Sequence, residues 1–217
     1  MTTTVLETAM ETRFVLSNVS WETYECLMQD YENSSAPRFT YDKGRLEIMS
    51  PLPDHERYKR SLEAAITIIC LETGAHAEAL GSTTYRREDL EQGFEPDSCY
   101  YFANENRVAH KATLDLRVDP PPDLVVEVDN TRASIDKLAL FAAFGVPEVW
   151  RYDGERLEMR TLESGRNTEI AESRALPGVT AEALTRLLGE RGDARLTDWL
   201  RAVREWALTL AEPELEP

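Results

Sequence analysis

The chain has 217 residues and 42% hydrophobic content, enough for one substantial core, and carries 24 Lys plus Arg against 40 Asp plus Glu, a net charge of −16. That acid surplus excludes loose, charge-driven adhesion to nucleic acid or an anionic membrane and leaves a local basic cleft as the route to a polyanion. The three cysteines, Cys26, Cys70 and Cys99, are far apart and odd in number, so they read as small core residues in a reducing cytosol rather than a disulfide framework or metal knuckle.

The opening MTTTVLETAMETRFVL places acids where an export signal would be basic. The longest near-apolar stretch, AAITIICL, falls far short of the roughly 20 residues that span a bilayer. A soluble, cytoplasmic protein without membrane contact is expected. In SNVSWETYECLMQDYE, Ser20 offers an N-cap, and Tyr24, Leu27, Met28 and Tyr31 recur at helical spacing. RFTYDKGRLEIMS predicts a hairpin turned at Asp42-Lys43-Gly44. DHERYKRSLEAAITIICLET then predicts a long core helix, capped by Asp54, striped by Tyr58, Leu62, Ala65, Ile66 and Ile69, and closed by Gly74.

Further strands are expected in AHAEALGSTTYRRED and in the aromatic run after Pro96-Asp97. Pro120 to Pro122 make a hard stop, and LVVEV after them reads as a short interior strand. Glu127 is the anomaly within it, because burying an unpaired carboxylate costs several kcal/mol. Either it points to solvent or something in the fold compensates its charge. ASIDKLALFAAFG predicts a helix stopped by Gly145, and VPEVWRYDGERLEMRTL a hairpin turned at Asp153-Gly154. Beyond Gly165 the pattern reads as two helices and an acidic tail. Trp199, Leu200 and Val203 give the last helix an apolar face to dock on its own domain or on a partner. The mixed order of elements indicates an α/β domain with a central mixed sheet flanked by helices, over residues 1–165, with 166–217 as a C-terminal helical extension.

Asp97 begins one strand, Glu127 lies in another and Lys137 sits near the start of the following helix. Hydrolysis of a phosphodiester needs such a set: two carboxylates to hold a hard divalent cation, and a fixed amine to orient water or stabilise developing charge. Asp123 cannot partner Glu127, since four strand residues separate their α-carbons by roughly 13 Å. Asp129, roughly 7 Å from Glu127 on the same face, is a candidate further ligand.

EPDSCYY, PPDLVVEV, IDKLALFAAFGVPEVWRYD and the earlier MSPLPDHERY stand in an order that resembles the Uma-type family of "putative restriction endonucleases", within the PD-(D/E)XK nuclease superfamily. The likeness spans roughly residues 20 to 162. It implies a restriction-endonuclease-like core, Mg2+ dependence and DNA as substrate; Mn2+ is an alternative ion, and a homodimer is expected. On this likeness Asp97 and Glu127 are metal ligands, the Val128 carbonyl a further ligand, and Lys137 the catalytic cation. Where the superfamily pattern puts lysine, two residues after Glu127, this chain has Asp129; Lys137 from the next helix takes its place. His55 and Glu56 match a supporting family feature.

The resulting expectation is a Mg2+-dependent endonuclease acting on DNA. A non-catalytic dimeric binding module that keeps the nuclease architecture stands beside it, and the acidic composition favours that rival somewhat. Arg86, Arg87, Arg107, His110, Lys111 and Arg117 form either a phosphate-contacting strip or a solvated loop surface.

Overall fold

A computed structural model describes residues 12–31, 34, 36–129, 135–192 and 194–211. Strand β1 (Thr12–Ser17) leads into helix α1 (Trp21–Asp30), where the Ser20 hydroxyl accepts from the Thr23 N–H at 3.2 Å as an N-cap. Tyr24 and Met28 turn inward, and Tyr24 stacks on Tyr41 with ring centroids 4.8 Å apart. Strands β2 (Arg38–Asp42) and β3 (Arg45–Ser50) form the expected hairpin, with Lys43 and Gly44 at φ 46° and 89° as a tight two-residue turn demands. Helix α2 (Pro53–Thr73) is the long core helix, closed by Gly74 at φ 74°. Asp54 does not cap it. Pro53, pre-set for the first helical turn, starts the helix two residues earlier than an Asp54 cap would and moves the cap to Leu52.

Strands β4 (Glu78–Ala79), β5 (Tyr85–Arg87), β6 (Gln92–Phe94) and β7 (Ser98–Tyr101) come next, then the short helix α3 (Glu105–Val108) and strand β8 (Leu124–Val128). Helix α4 (Lys137–Ala143) precedes the hairpin of β9 (Glu148–Tyr152) and β10 (Leu157–Glu163). A strand absent from the sequence reading, β11 (Arg166–Ile170), pairs with β10. It is a polar edge strand, so neither an apolar run nor alternation marks it. Helices α5 (Ala181–Glu190) and α6 (Leu196–Ala211) follow as expected, whereas the acidic tail at 212–217 lies outside the described residues.

Two sheets result. One, in the order β1-β3-β2-β6-β5, is antiparallel throughout; the other, β11-β10-β9-β8-β7-β4, is mixed, with β8 and β9 parallel. The α/β class and the central mixed sheet agree with the sequence reading; the separate antiparallel sheet was not foreseen. On one face of the mixed sheet Leu124, Val126, Val128 and Trp150 pack with residues of α2, α5 and α6, among them Leu62, Ile66, Leu184 and Trp199. The other face brings Cys99, Val125 and Val149 against Leu140 and Phe141 of α4 and Phe94 of the antiparallel sheet. Burial on both faces is why β8 reads as a nearly unbroken apolar run. Cys99 is buried, as a small core residue should be, but Cys26 is exposed on α1.

Candidate active site

The register between β7 and β8 pairs Ser98 with Val126 and Cys99 with Val125. Continued by one residue, it sets Asp97 opposite Glu127. Residues opposed across an antiparallel pair project from the same face with Cβ atoms about 5 Å apart. This is the face that α4 covers, and both carboxylates are buried, at 1% and 3% exposure. Glu127 therefore does not point to solvent.

Asp136 caps α4 by accepting from the Ala139 N–H at 3.1 Å. Lys137, Leu140 and Phe141 share one helix face by their three- and four-residue spacing. Packing Leu140 and Phe141 onto the sheet therefore brings Lys137 over the strand ends, where its Nζ donates to Glu127 Oε2 at 2.5 Å. That amine supplies the charge compensation that the strand sequence calls for. Glu127 Oε1 is buried and has no hydrogen-bond partner among the described residues.

Among the described residues, Asp97 is held by three donors. The Val128 N–H donates to Oδ2 at 2.6 Å, while His55 Nε2, at 2.8 Å, and Arg38 Nη1 both meet Oδ1. Arg38 also donates through Nη2 to Glu56 Oε1 at 3.2 Å. His55 thus touches a predicted ligand directly, whereas Glu56, half-exposed, connects to Asp97 through Arg38. Lys59, one turn further along α2 from His55, has its pKa lowered by burial and by the Arg38 charge.

Asp129 continues the acidic line, with Arg13 Nη2 at 3.5 Å and Arg151 Nη2 at 3.3 Å. Burial pushes its carboxyl above the usual range, and Lys137, Arg13 and Arg151 pull it back. Arg13 also donates to the buried Glu47 at 2.8 Å. Period-two alternation explains why these groups meet: in the antiparallel sheet Arg13 and Arg38 both pair with Met49, and Thr40 pairs with Glu47, so all share one face. Phe39, Tyr41 and Leu46 take the opposite face and form a separate cluster under α1. The sheet thus turns a buried polar face toward the acids. Between α4 and the strand ends lies a cavity of about 230 Å3, lined by Glu127, Asp129, Lys137 and Arg151 among others.

Asp97, Glu127 and Lys137 therefore come together, with His55 on Asp97 and Glu56 one ion pair away. Asp123 lies apart, accepting from Phe102 N and from Asn104 at the start of α3. Arg86, Arg87, Lys111 and Arg117 are each paired with an acid, Glu25, Asp89, Asp119 and Asp115 in turn, which supports the solvated-surface reading of that strip. Sequence reasoning missed Arg13, Arg38, Glu47 and Arg151. The alternation of RFTYD, with two aromatics facing away from Arg38, was the signal available for one of them.

Among the described residues, no group of three or more His, Cys, Asp or Glu side chains is arranged to hold a metal ion. A Mg2+ that keeps most of its waters needs only one or two carboxylates. Among the described residues Glu127 Oε1 is buried without a donor and Asp97 Oδ2 accepts one hydrogen bond, so each has a lone pair that such an ion would use. The residues fit the ion on that side; on the other, Arg38 and His55 crowd Asp97 Oδ1.

A family model, Uma2, described as "Putative restriction endonuclease", matches residues 21–192. Among solved structures, the chain is similar to "a putative nuclease belonging to DUF820" from Anabaena variabilis at 13% identity and a TM-score of 0.51, over 88% of this chain and 99% of that one. At that identity the likeness concerns the fold. The curated proteins give no match.

Proposed function

The chain belongs to the Uma2 family, and from that premise we propose that it is a Mg2+-dependent endonuclease hydrolysing DNA phosphodiester bonds, with Asp97 and Glu127 as ligands and Lys137 as the catalytic cation. One observation carries the reading: two buried carboxylates, one in β8 and one immediately before the adjacent β7, share a face, with an amine from a third element on one of them. Proteins rarely bury such a set without a partner or a task. When bound, the ion neutralises charge on the scissile phosphate and lowers the pKa of its water.

The chain's own groups would do the rest. Lys137, packed at 14% exposure beside Glu127, holds a positive charge in a site with little water, where it is worth more than in bulk solvent. A phosphate oxygen entering the 230 Å3 cavity meets Lys137 and, at its more exposed rim, Arg151. Asp97 and Glu127 stay oriented because their strands are fixed by core packing on both faces. These few cations at the cleft would offset locally the repulsion that a net charge of −16 presents to DNA.

The rival, a non-catalytic module with the same fold, is favoured by the guanidinium seated on Asp97. Cleavage of single-stranded, duplex and branched DNA with Mg2+ or Mn2+ separates the two. The wild type should cut at least one form, and Asp97→Ala, Glu127→Ala and Lys137→Ala should each abolish cutting. Cutting that survives Lys137→Ala would remove Lys137 from the chemistry, and no cutting of any form by the wild type would favour the rival.

A further inference from the structure

Arg38 lies at the head of β2 with its side chain 8% exposed, and its guanidinium bridges Asp97 and Glu56. Any divalent cation approaching Asp97 meets that charge first, in a site where water screens little. Two atoms show that the observed pairing leaves the site unsatisfied: Arg38 Nε and Glu127 Oε1 are both buried without a hydrogen-bond partner among the described residues. One buried donor and one buried acceptor thus go unpaired within a single cluster, a condition that native interiors seldom tolerate.

We propose that Arg38 is a place-holding cation, neutralising Asp97 when no divalent ion is bound and competing with that ion for the carboxylate, so that Arg38 sets the metal affinity of the site. The inference rests on the proposed metal-binding role of Asp97 and Glu127 and deepens it by naming the residue that regulates ion entry. Arg38 is a positioning residue here and touches no reacting atom. Glu56 is built for the exchange, since it keeps a carboxylate on Nη2 while Nη1 leaves Asp97. His55 and the Val128 N–H hold the carboxylate meanwhile.

The test is calorimetric titration of the full chain with MgCl2 and MnCl2, in parallel with melting curves. Arg38→Met, which keeps volume and removes charge, should bind the ion about tenfold more tightly than the wild type, equivalent to about 1.4 kcal/mol. It should also melt lower without the ion and gain more from its addition. Wild-type or weaker affinity in Arg38→Met would overturn the proposal. Asp97→Asn is the control for the underlying reading: if the wild type binds no ion, or binds it equally without the carboxylate, the metal site itself fails. If Asp97→Asn abolishes binding while Arg38→Met changes nothing, the place-holding role alone fails. Should Arg38→Met not fold, the wild type still decides: the Nε–H resonance of Arg38, identified by its absence in Arg38→Lys, should shift on adding Mg2+. A resonance that stays fixed while heat of binding is measured refutes the exchange.

Discussion

Replacing Lys137 by Met tests whether the helix-borne amine truly completes the site. The Nζ lies 2.5 Å from Glu127 Oε2, with the side chains 14% and 4% exposed. Removing the amine leaves Glu127 buried with neither oxygen carrying a donor among the described residues. Exposed pairs contribute about 0–1 kcal/mol and breaking fully buried ones costs about 3–5 kcal/mol, so partial exposure sets the expected loss at about 2–3 kcal/mol. For a chain of this size that is a fall in melting temperature of about 4–12 °C. Urea unfolding of Lys137→Met, Glu127→Gln and the double variant forms a cycle. Because Glu127→Gln removes the charge that Lys137→Met strands, the double variant should be more stable than Lys137→Met alone, with a coupling of about 2 kcal/mol. Effects that add to within about 0.3 kcal/mol would show that the amine and carboxylate do not interact, and would end the assignment of Lys137 to the site.

Glu148 is 1% exposed and accepts from Trp150 Nε1, Ser173 Oγ and the Arg174 and Ala175 N–H groups at 2.6–2.9 Å. Glu148→Ala should cost about 3–5 kcal/mol in urea unfolding, because several buried donors lose their acceptor together. A Cβ on Gly93 would stand 2.3 Å from the Tyr24 hydroxyl oxygen and 2.8 Å from Cζ, so Gly93→Ala should lose about 1–3 kcal/mol and melt measurably lower. Glu95, half-buried and bonded by the Phe39 N–H and Thr84, has its pKa raised by burial. A raised folded-state value means that the stability tied to its protonated form is complete below the ordinary value of 4.5 and is lost as pH rises through the folded value. Glu95→Gln should remove that dependence: its melting temperature relative to wild type should climb between pH 4 and pH 7, and a constant difference would show that the carboxyl does not titrate as described.

Much of the local structure was legible because its causes are local. Ser20 caps, Gly74 and Gly145 stop helices, and Lys43-Gly44 turns a hairpin, since these depend on backbone conformations that few residues tolerate. Pairing Asp97 with Glu127 from sequence needed the resemblance as well, because strand register across a sequence separation of 30 residues is not written in either strand. The strand β11 escaped because an edge strand buries little and so shows no apolar period. Asp54 was misread because two start signals compete there, and the proline lies one residue closer to the start.

By itself the sequence determined helices α1, α2, α4, α5 and α6, the β2–β3 and β9–β10 hairpins, the buried character of β8 and the presence within it of a carboxylate in need of compensation. All of these follow from periodicity and backbone preference over a few residues, whereas the short α3 lay hidden in a polar stretch. Only the tertiary structure decided what compensates each charge: Lys137 on Glu127, Arg38 and His55 on Asp97, Arg13 and Arg151 on Asp129. Electrostatic partners are chosen by distance through space. The polar face that the antiparallel sheet turns toward the acids arises from the packing of two sheets, which no stretch of either strand encodes alone.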